Sequence, residues 1–135
     1  MKKTLLILVG LMVFASSCKE DIVDTTQNQL EDITSEAQFD AAIKEGVSMI
    51  FYHASWCTKC AAQRPAVEAQ TENQDFSSVF FGEVEYEDFP TIVTKSKVNG
   101  FPTIVIFKNG EEVKRFSGQG HSESEIRAAL TDALN

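Results

Sequence analysis

Phe51-Tyr52-His53-Ala54-Ser55-Trp56-Cys57-Thr58-Lys59-Cys60 is the stretch that decides the fold, because an apolar run ends there on two cysteines separated by two residues. Val47 to Tyr52 is short, nearly continuous in apolar residues and bounded by Gly46, as expected of a strand covered on both faces. Residues 58 to 72 then carry Ala61, Ala62, Ala66, Val67 and Ala69 in a helical pattern. Pro65 falls inside that helix, where it removes a backbone hydrogen bond and favours a kink. The cysteines thus stand where a strand hands over to a helix. Two thiols so placed can close a small disulfide, open it and exchange it with another molecule. Two other uses stay open on the residues alone. One is a purely structural disulfide, although so small a loop constrains little unfolded-chain entropy. The other is a metal site of His53, Cys57 and Cys60, which lacks an evident fourth ligand. Taken singly, His53 reads as a partly packed histidine and His121, in a polar loop after Gly120, as a solvated one.

Outward from this stretch the chain alternates. Upstream, Thr34-Ser35 offers a helix N-cap with Gln38 in capping-box register, Phe39, Ala42 and Ile43 share a helical face, and Gly46 ends the helix. A short strand near Leu30 to Ile33 is open. Downstream, Val79 to Tyr86 alternates as a strand, and Thr91 to Lys97 follows Pro90 as a short helix. Thr103 to Phe107 is a further strand, Lys108-Asn109-Gly110-Glu111 a hairpin turn, and Glu112 to Ser117 its second arm. Ser122 to Leu134 closes the chain as an amphipathic helix through Ile126, Ala129, Leu130 and Ala133. This order is α/β with mixed parallel and antiparallel pairing.

With these features placed, the chain from residue 33 to its C-terminus resembles the thioredoxin superfamily. Trp56-Cys57-Thr58-Lys59-Cys60 matches the active-site motif, Pro65 the helix proline, Pro102 the proline that follows a cis peptide, Lys108-Asn109-Gly110 the hairpin, and Gly118 the glycine of the last strand. The resemblance implies a thioredoxin fold, a central mixed sheet flanked by helices, and thiol-disulfide oxidoreductase activity on protein thiols and disulfides. It implies no cofactor and no metal, and the chain is expected to be a monomer. Cys57, at the start of the helix, faces unpaired N–H groups and the positive end of the dipole, which favour a thiolate; Lys59 adds a cation. Cys57 is therefore expected as the nucleophile and Cys60 as the resolving thiol. The backbone of Phe101, beside Gly100 and Pro102, is expected to pair with an extended substrate segment, with Trp56 and Phe101 as apolar walls.

Departures from the family matter equally. Thr58-Lys59 replaces the usual Gly-Pro between the cysteines, Phe51 stands in register with the family's buried aspartate, and Glu83 with its partner lysine. Two readings of Glu83 stand: a base that deprotonates Cys60, or a solvated acid on a strand near the surface. A runner-up from another class is a non-catalytic module that binds through the Phe101-Pro102 groove or through a CxxC metal site.

The N-terminus is of another character. Lys2 and Lys3, an apolar run from Leu5 to Ala15, and Ser16-Ser17-Cys18 follow the order of a secretory signal, and the run is short of the roughly 20 residues a membrane span needs. Ala15-Ser16-Ser17-Cys18 resembles a bacterial lipobox, which implies cleavage after residue 17 and acylation of Cys18. Cysteine arithmetic agrees, since three cysteines leave one beside the Cys57/Cys60 pair. Residues 18–32 are then a polar tether and 33–135 the domain. Lys19-Glu20-Asp21 resembles a surface-export signal, with a solvated linker as the alternative. The expected location is a bacterial envelope, periplasm-facing or at the cell surface, with the lipid membrane and a membrane redox protein as partners. The 135 residues carry 12 basic and 20 acidic side chains for a net charge of −8; losing Lys2 and Lys3 leaves 10 against 20. Such a surface excludes nucleic acid as a natural partner.

Overall fold

A computed structural model describes residues 30–135. The signal segment, Cys18 and the tether as far as residue 29 lie outside the described residues. The chain order is β1 (Glu31–Asp32), α1 (Glu36–Lys44), β2 (Val47–His53), α2 (Thr58–Thr71), a 3-10 turn (Gln74–Phe76), β3 (Phe80–Glu85), α3 (Pro90–Lys95), β4 (Thr103–Lys108), β5 (Glu111–Ser117) and α4 (Glu123–Leu134).

The strands form one mixed sheet in the order β1-β3-β2-β4-β5. Both β1 and β2 run parallel to β3, β4 is antiparallel to β2, and β5 to β4. Central β2 is buried from Val47 to Tyr52, as its unbroken apolar run requires. Its side chains alternate between two cores. Val47, Met49 and Phe51 join Cys60 and Val67 of α2 and Ile126, Leu130 and Ala133 of α4 on one face. Ile50 and Tyr52 join Phe39 of α1 and Ile92 and Val93 of α3 on the other. Each fully buried Ile, Leu or Phe contributes about 1.5–3 kcal/mol relative to exposure.

Local chemistry explains the element ends. Ser35 Oγ accepts from Gln38 N at 3.1 Å, while the Gln38 side chain reaches Thr34 N at 2.7 Å, one residue short of a closed capping box. In α4 the box is complete: Ser122 caps Glu125, and Glu125 Oε2 accepts from Ser122 N at 2.7 Å. Pro90 takes the first position of α3, where its missing N–H has no intrahelical partner to lose. That helix is two residues shorter at its end than expected, because Lys97 turns to φ 53°. The β4–β5 hairpin turns on Asn109 (φ 51°) and Gly110 (φ 84°), the doubly left-handed pair that a type I′ turn demands. Asn109 also donates its N–H to Gly46 O at 2.8 Å and accepts from Gly46 N at 2.9 Å, pinning the hairpin tip to the start of β2.

Two expectations are adjusted. The packed domain begins slightly before residue 33: Leu30 is buried, and Glu31–Asp32 pair with Gly82 and Glu83. His121 is half-buried rather than solvated, because its ring lies 5.1 Å from that of Phe116 and its Nε2 lies 3.1 Å from Ser117 O. Gln63, on α2, holds that loop by accepting from Gly120 N and His121 N and donating to His121 O. Gly82 carries a constraint that periodicity does not reveal, since a Cβ there would meet the Phe80 ring at 2.7 Å.

Candidate active site

β2 ends at His53, and four residues, Ala54 to Cys57, lead into α2. Cys57 N donates to Ala54 O at 3.1 Å, which turns the chain tightly enough to present Cys57 as the N-cap of α2. Its sulfur accepts from Cys60 N at 3.1 Å, so the sulfur sits where a helix offers unpaired N–H groups. Cys57 and Cys60 are joined in a disulfide with their Cα atoms 5.2 Å apart. The two are unequally covered: Cys57 is half-buried and Cys60 is buried against Phe51 and the α2–α4 core. Lys59 lies exposed on the first turn of α2.

Aromatic side chains border the disulfide-bearing loop. Trp56 is 64% exposed and meets Phe101 edge-on at 6.1 Å. Tyr86, exposed just beyond β3, has its ring 5.3 Å from that of Phe101. Sequence reasoning missed Tyr86, because one aromatic past the end of a strand has no periodic signal. The Phe101-Pro102 peptide is cis. Its loop is held by Thr103 Oγ1 donating to Gly100 O and by Gly118 N donating to Pro102 O, both at 2.8 Å. A Cβ on Gly100 would meet nothing within 4 Å, so any need for a small residue there comes from a molecule outside the chain.

Glu83 is not a solvated acid. It is buried on β3, in register with Phe51 on β2, and forms the centre of an ionic cluster. Arg64 Nη2, from α2, donates to Glu83 Oε2 at 2.6 Å, and its guanidinium lies over the Phe51 ring at 5.2 Å. His53 Nε2 approaches the same oxygen at 3.0 Å, close enough for an ion pair although its geometry is not that of a directed hydrogen bond. Burial alone would raise the Glu83 carboxyl, but His53 and Arg64 more than offset it and hold the pKa at about 2. A carboxylate so acidic is a poor acceptor for a thiol proton. Its geometry suits a counter-ion better than the base read from the sequence.

The cluster continues toward the loop. His53 stacks on Phe51 at 5.4 Å, and its Nδ1 lies 3.2 Å from Glu85 Oε2. Ser55 N donates to Glu85 Oε1 at 3.0 Å and to Glu87 Oε2 at 3.4 Å, and Ser55 Oγ donates to Glu87 Oε1 at 2.9 Å. Burial and the adjoining Glu87 carboxyl push the Glu85 pKa up, while the hydrogen bond with Glu85 draws that of Glu87 down. The residue before Trp56 is thereby tied to two carboxylates. None of this was legible beforehand except that Glu83 replaces a lysine. Among the described residues, no group of three or more His, Cys, Asp or Glu is arranged to hold a metal ion. A cleft of about 610 Å³ between β5 and α4 contains neither cysteine.

The chain is similar to known proteins. The Thioredoxin family model matches residues 31–132. A thioredoxin from Chlamydia caviae is 33% identical over 70% of this chain and 91% of its own length. A thioredoxin domain-containing protein 5 homolog from Drosophila melanogaster is also 33% identical, over 77% of this chain, which spans only 26% of that longer protein. The crystal structure of a Malassezia sympodialis thioredoxin superposes with a TM-score of 0.71 at 26% identity, covering 81% of this chain and 94% of that one. A mixed five-stranded sheet, a Cys57–Cys60 disulfide at the N-terminus of α2 and a cis peptide before Pro102 thus accompany a direct sequence match, and the chain belongs to the thioredoxin family as a thiol-disulfide oxidoreductase.

Proposed function

We propose that this chain is an exported, lipid-anchored oxidoreductase that exchanges disulfides with protein substrates. The observation that carries the exchange chemistry is the unequal burial of the two sulfurs at the helix start, half-buried Cys57 ahead of buried Cys60. Cys57 as thiolate attacks a disulfide of the substrate, forming a mixed disulfide and releasing one substrate thiolate. Cys60 then loses its proton and attacks Cys57 Sγ, closing the intramolecular disulfide and releasing the second substrate thiol. Run backward, the same steps oxidise a dithiol. Trp56 and Phe101 supply apolar walls, the backbone of Phe101 pairs with an extended substrate segment, Gly100 leaves room for it, and Lys59 favours the Cys57 thiolate.

Reduction of insulin disulfides tests the chemistry: the wild-type chain accelerates precipitation of the insulin B chain and Cys57→Ser does not. A Cys60→Ser variant accumulates mixed disulfides through Cys57 in cells, and recovery of none would overturn protein exchange.

The anchor reading rests on Ala15-Ser16-Ser17-Cys18, with acylation of Cys18 placing the domain in the envelope and beside a membrane redox partner. More than one acyl chain makes such residence stable. Metabolic labelling with an alkyne fatty acid marks the wild-type chain and leaves Cys18→Ser unmarked; equal labelling of both would overturn the anchor alone. We read the exported domain as a monomer, which light scattering of the unlipidated chain checks.

A further inference from the structure

The buried face of α2 carries Cys60, Gln63, Val67 and Gln70, so two amide side chains stand where a helix packed on a core ordinarily places apolar ones. A buried amide is costly unless it is hydrogen-bonded. Gln63, 2% exposed and one turn beyond Cys60, accepts at Oε1 from Gly120 N and His121 N, each at 3.0 Å, and donates from Nε2 to His121 O at 2.7 Å. Three bonds to one short stretch of backbone make this side chain a clamp on the β5–α4 connection. Gln70, about two turns further along α2, is bonded elsewhere. It donates to Ala66 O at 2.9 Å within its own helix and to Glu123 O at 3.1 Å at the start of α4.

The clamped connection reaches the cis-proline loop. It contains two left-handed glycines, Gly118 at φ 84° and Gly120 at φ 94°, with exposed Gln119 between them. Gly118 N donates to Pro102 O at 2.8 Å, and His121 Nε2 lies 3.1 Å from Ser117 O. Ser117 and Gly118 line, together with Gly100, Phe101 and Thr103, a cleft of about 360 Å³. One helical turn and one short loop therefore connect Cys60 to the backbone read above as pairing with a substrate segment.

We propose that Gln63 is a positioning residue for protein substrates, which fixes Ser117–Gln119 as a second wall of the cleft that Gly100 and Phe101 begin. The wall acts on a polypeptide long enough to lie in the cleft. A small disulfide reaches Cys57 without it. Gln63 touches neither substrate nor sulfur and acts through the loop backbone that it holds. A loop kept in one conformation before the substrate arrives loses less conformational freedom on binding, so the substrate binds more tightly. The proposal rests on the protein-exchange reading above.

The test pairs Gln63→Met with Gln70→Met in the full chain. Each replaces a buried amide of α2 by an unbranched side chain without its hydrogen bonds, so both are expected to lower the urea midpoint, and only the first releases the loop. Insulin reduction is followed with dithiothreitol as the recycling reductant. We expect KM for insulin to rise about threefold or more in Gln63→Met with kcat within about twofold of wild type, and Gln70→Met to keep the wild-type KM. Hydroxyethyl disulfide, a small substrate, is expected to show no such rise in either variant. An unchanged insulin KM in Gln63→Met, or an equal rise in both variants, would overturn the positioning role. Should Gln63→Met fail to fold, a second measurement decides. In Cys60→Ser joined through Cys57 to a cysteine-containing insulin B-chain peptide, the amide NMR signals of Ser117 to Gln119 are expected to shift from those of the same protein with Cys57 capped as its methyl disulfide. Unshifted signals would overturn the wall and leave exchange intact. A wild-type chain that reduces no insulin would overturn the exchange reading and the proposal with it.

Discussion

The two faces of β2 bury polar groups in opposite ways. On the α1–α3 face, Tyr52 hides its hydroxyl by donating to Ser96 Oγ at 2.8 Å, and Arg115 Nη2 donates to Ser96 O at 2.8 Å. Burial pushes the Tyr52 hydroxyl pKa up, so the tyrosine side chain there stays neutral, and the bonds do nothing but fix the segment that leads from α3 toward Pro102. On the α2–α4 face, Phe51 and His53 meet Arg64, Glu83 and Glu85, an ionic cluster. A single step along the strand separates a mechanical joint from an electrostatic one. The disulfide belongs to the second face, through Cys60.

The most severe break of this contrast is at sulfur. Cys57→Ser is expected to abolish insulin reduction while leaving the thermal melt close to that of the reduced wild type, which would place all turnover on one face. Substantial residual activity would show that Cys60 is not confined to resolution.

Next in size is Glu83→Ala, which leaves Arg64 and His53 without their shared anion. Loss of one partner in a buried pair costs about 3–5 kcal/mol, read as a shift of the urea midpoint at pH 7. The pH dependence follows from the same group. Its folded pKa, about 2, lies below its ordinary value of 4.5, so its contribution is fully present above that ordinary value and is lost as the pH falls through the interval down to about 2. We expect about 3 kcal/mol of acid-labile stability from Glu83, absent in Glu83→Gln. Parallel acid profiles for the two proteins would remove Glu83 from the cluster's energetics.

A smaller effect belongs to the neutral face. Tyr52→Phe removes one hydrogen bond and is expected to cost about 1 kcal/mol, with no change in the pH dependence of the exchange equilibrium. A changed pH profile would mean that the two faces are coupled across β2. Smallest of all is Lys95→Ala, which loses the exposed ion pair with Asp40 between α3 and α1; about 0.5 kcal/mol or less is expected, falling with added salt.

Much of this molecule is local, and local features are legible in a one-dimensional string. The unbroken apolar run of β2, the capping serines at Ser35 and Ser122, the Asn109-Gly110 turn and the cysteine spacing each state their structure within a few residues, because backbone sterics and one-turn hydrogen bonds act over that range. The substitutions at Phe51 and Glu83 were equally visible, but their consequence was not. Whether Glu83 is a base, a solvated acid or a counter-ion depends on Arg64, nineteen positions away on a helix, and on His53, thirty away on a strand. Tyr86 joins Phe101 only because β3 and the loop before β4 end at the same edge of the domain. The amino-acid order therefore settles the elements and the identity of the reactive sulfurs, whose chemistry lies within one helical turn. Folding in three dimensions settles the charge around them, since electrostatic energy depends on distance and burial, and neither is a property of separation along the chain.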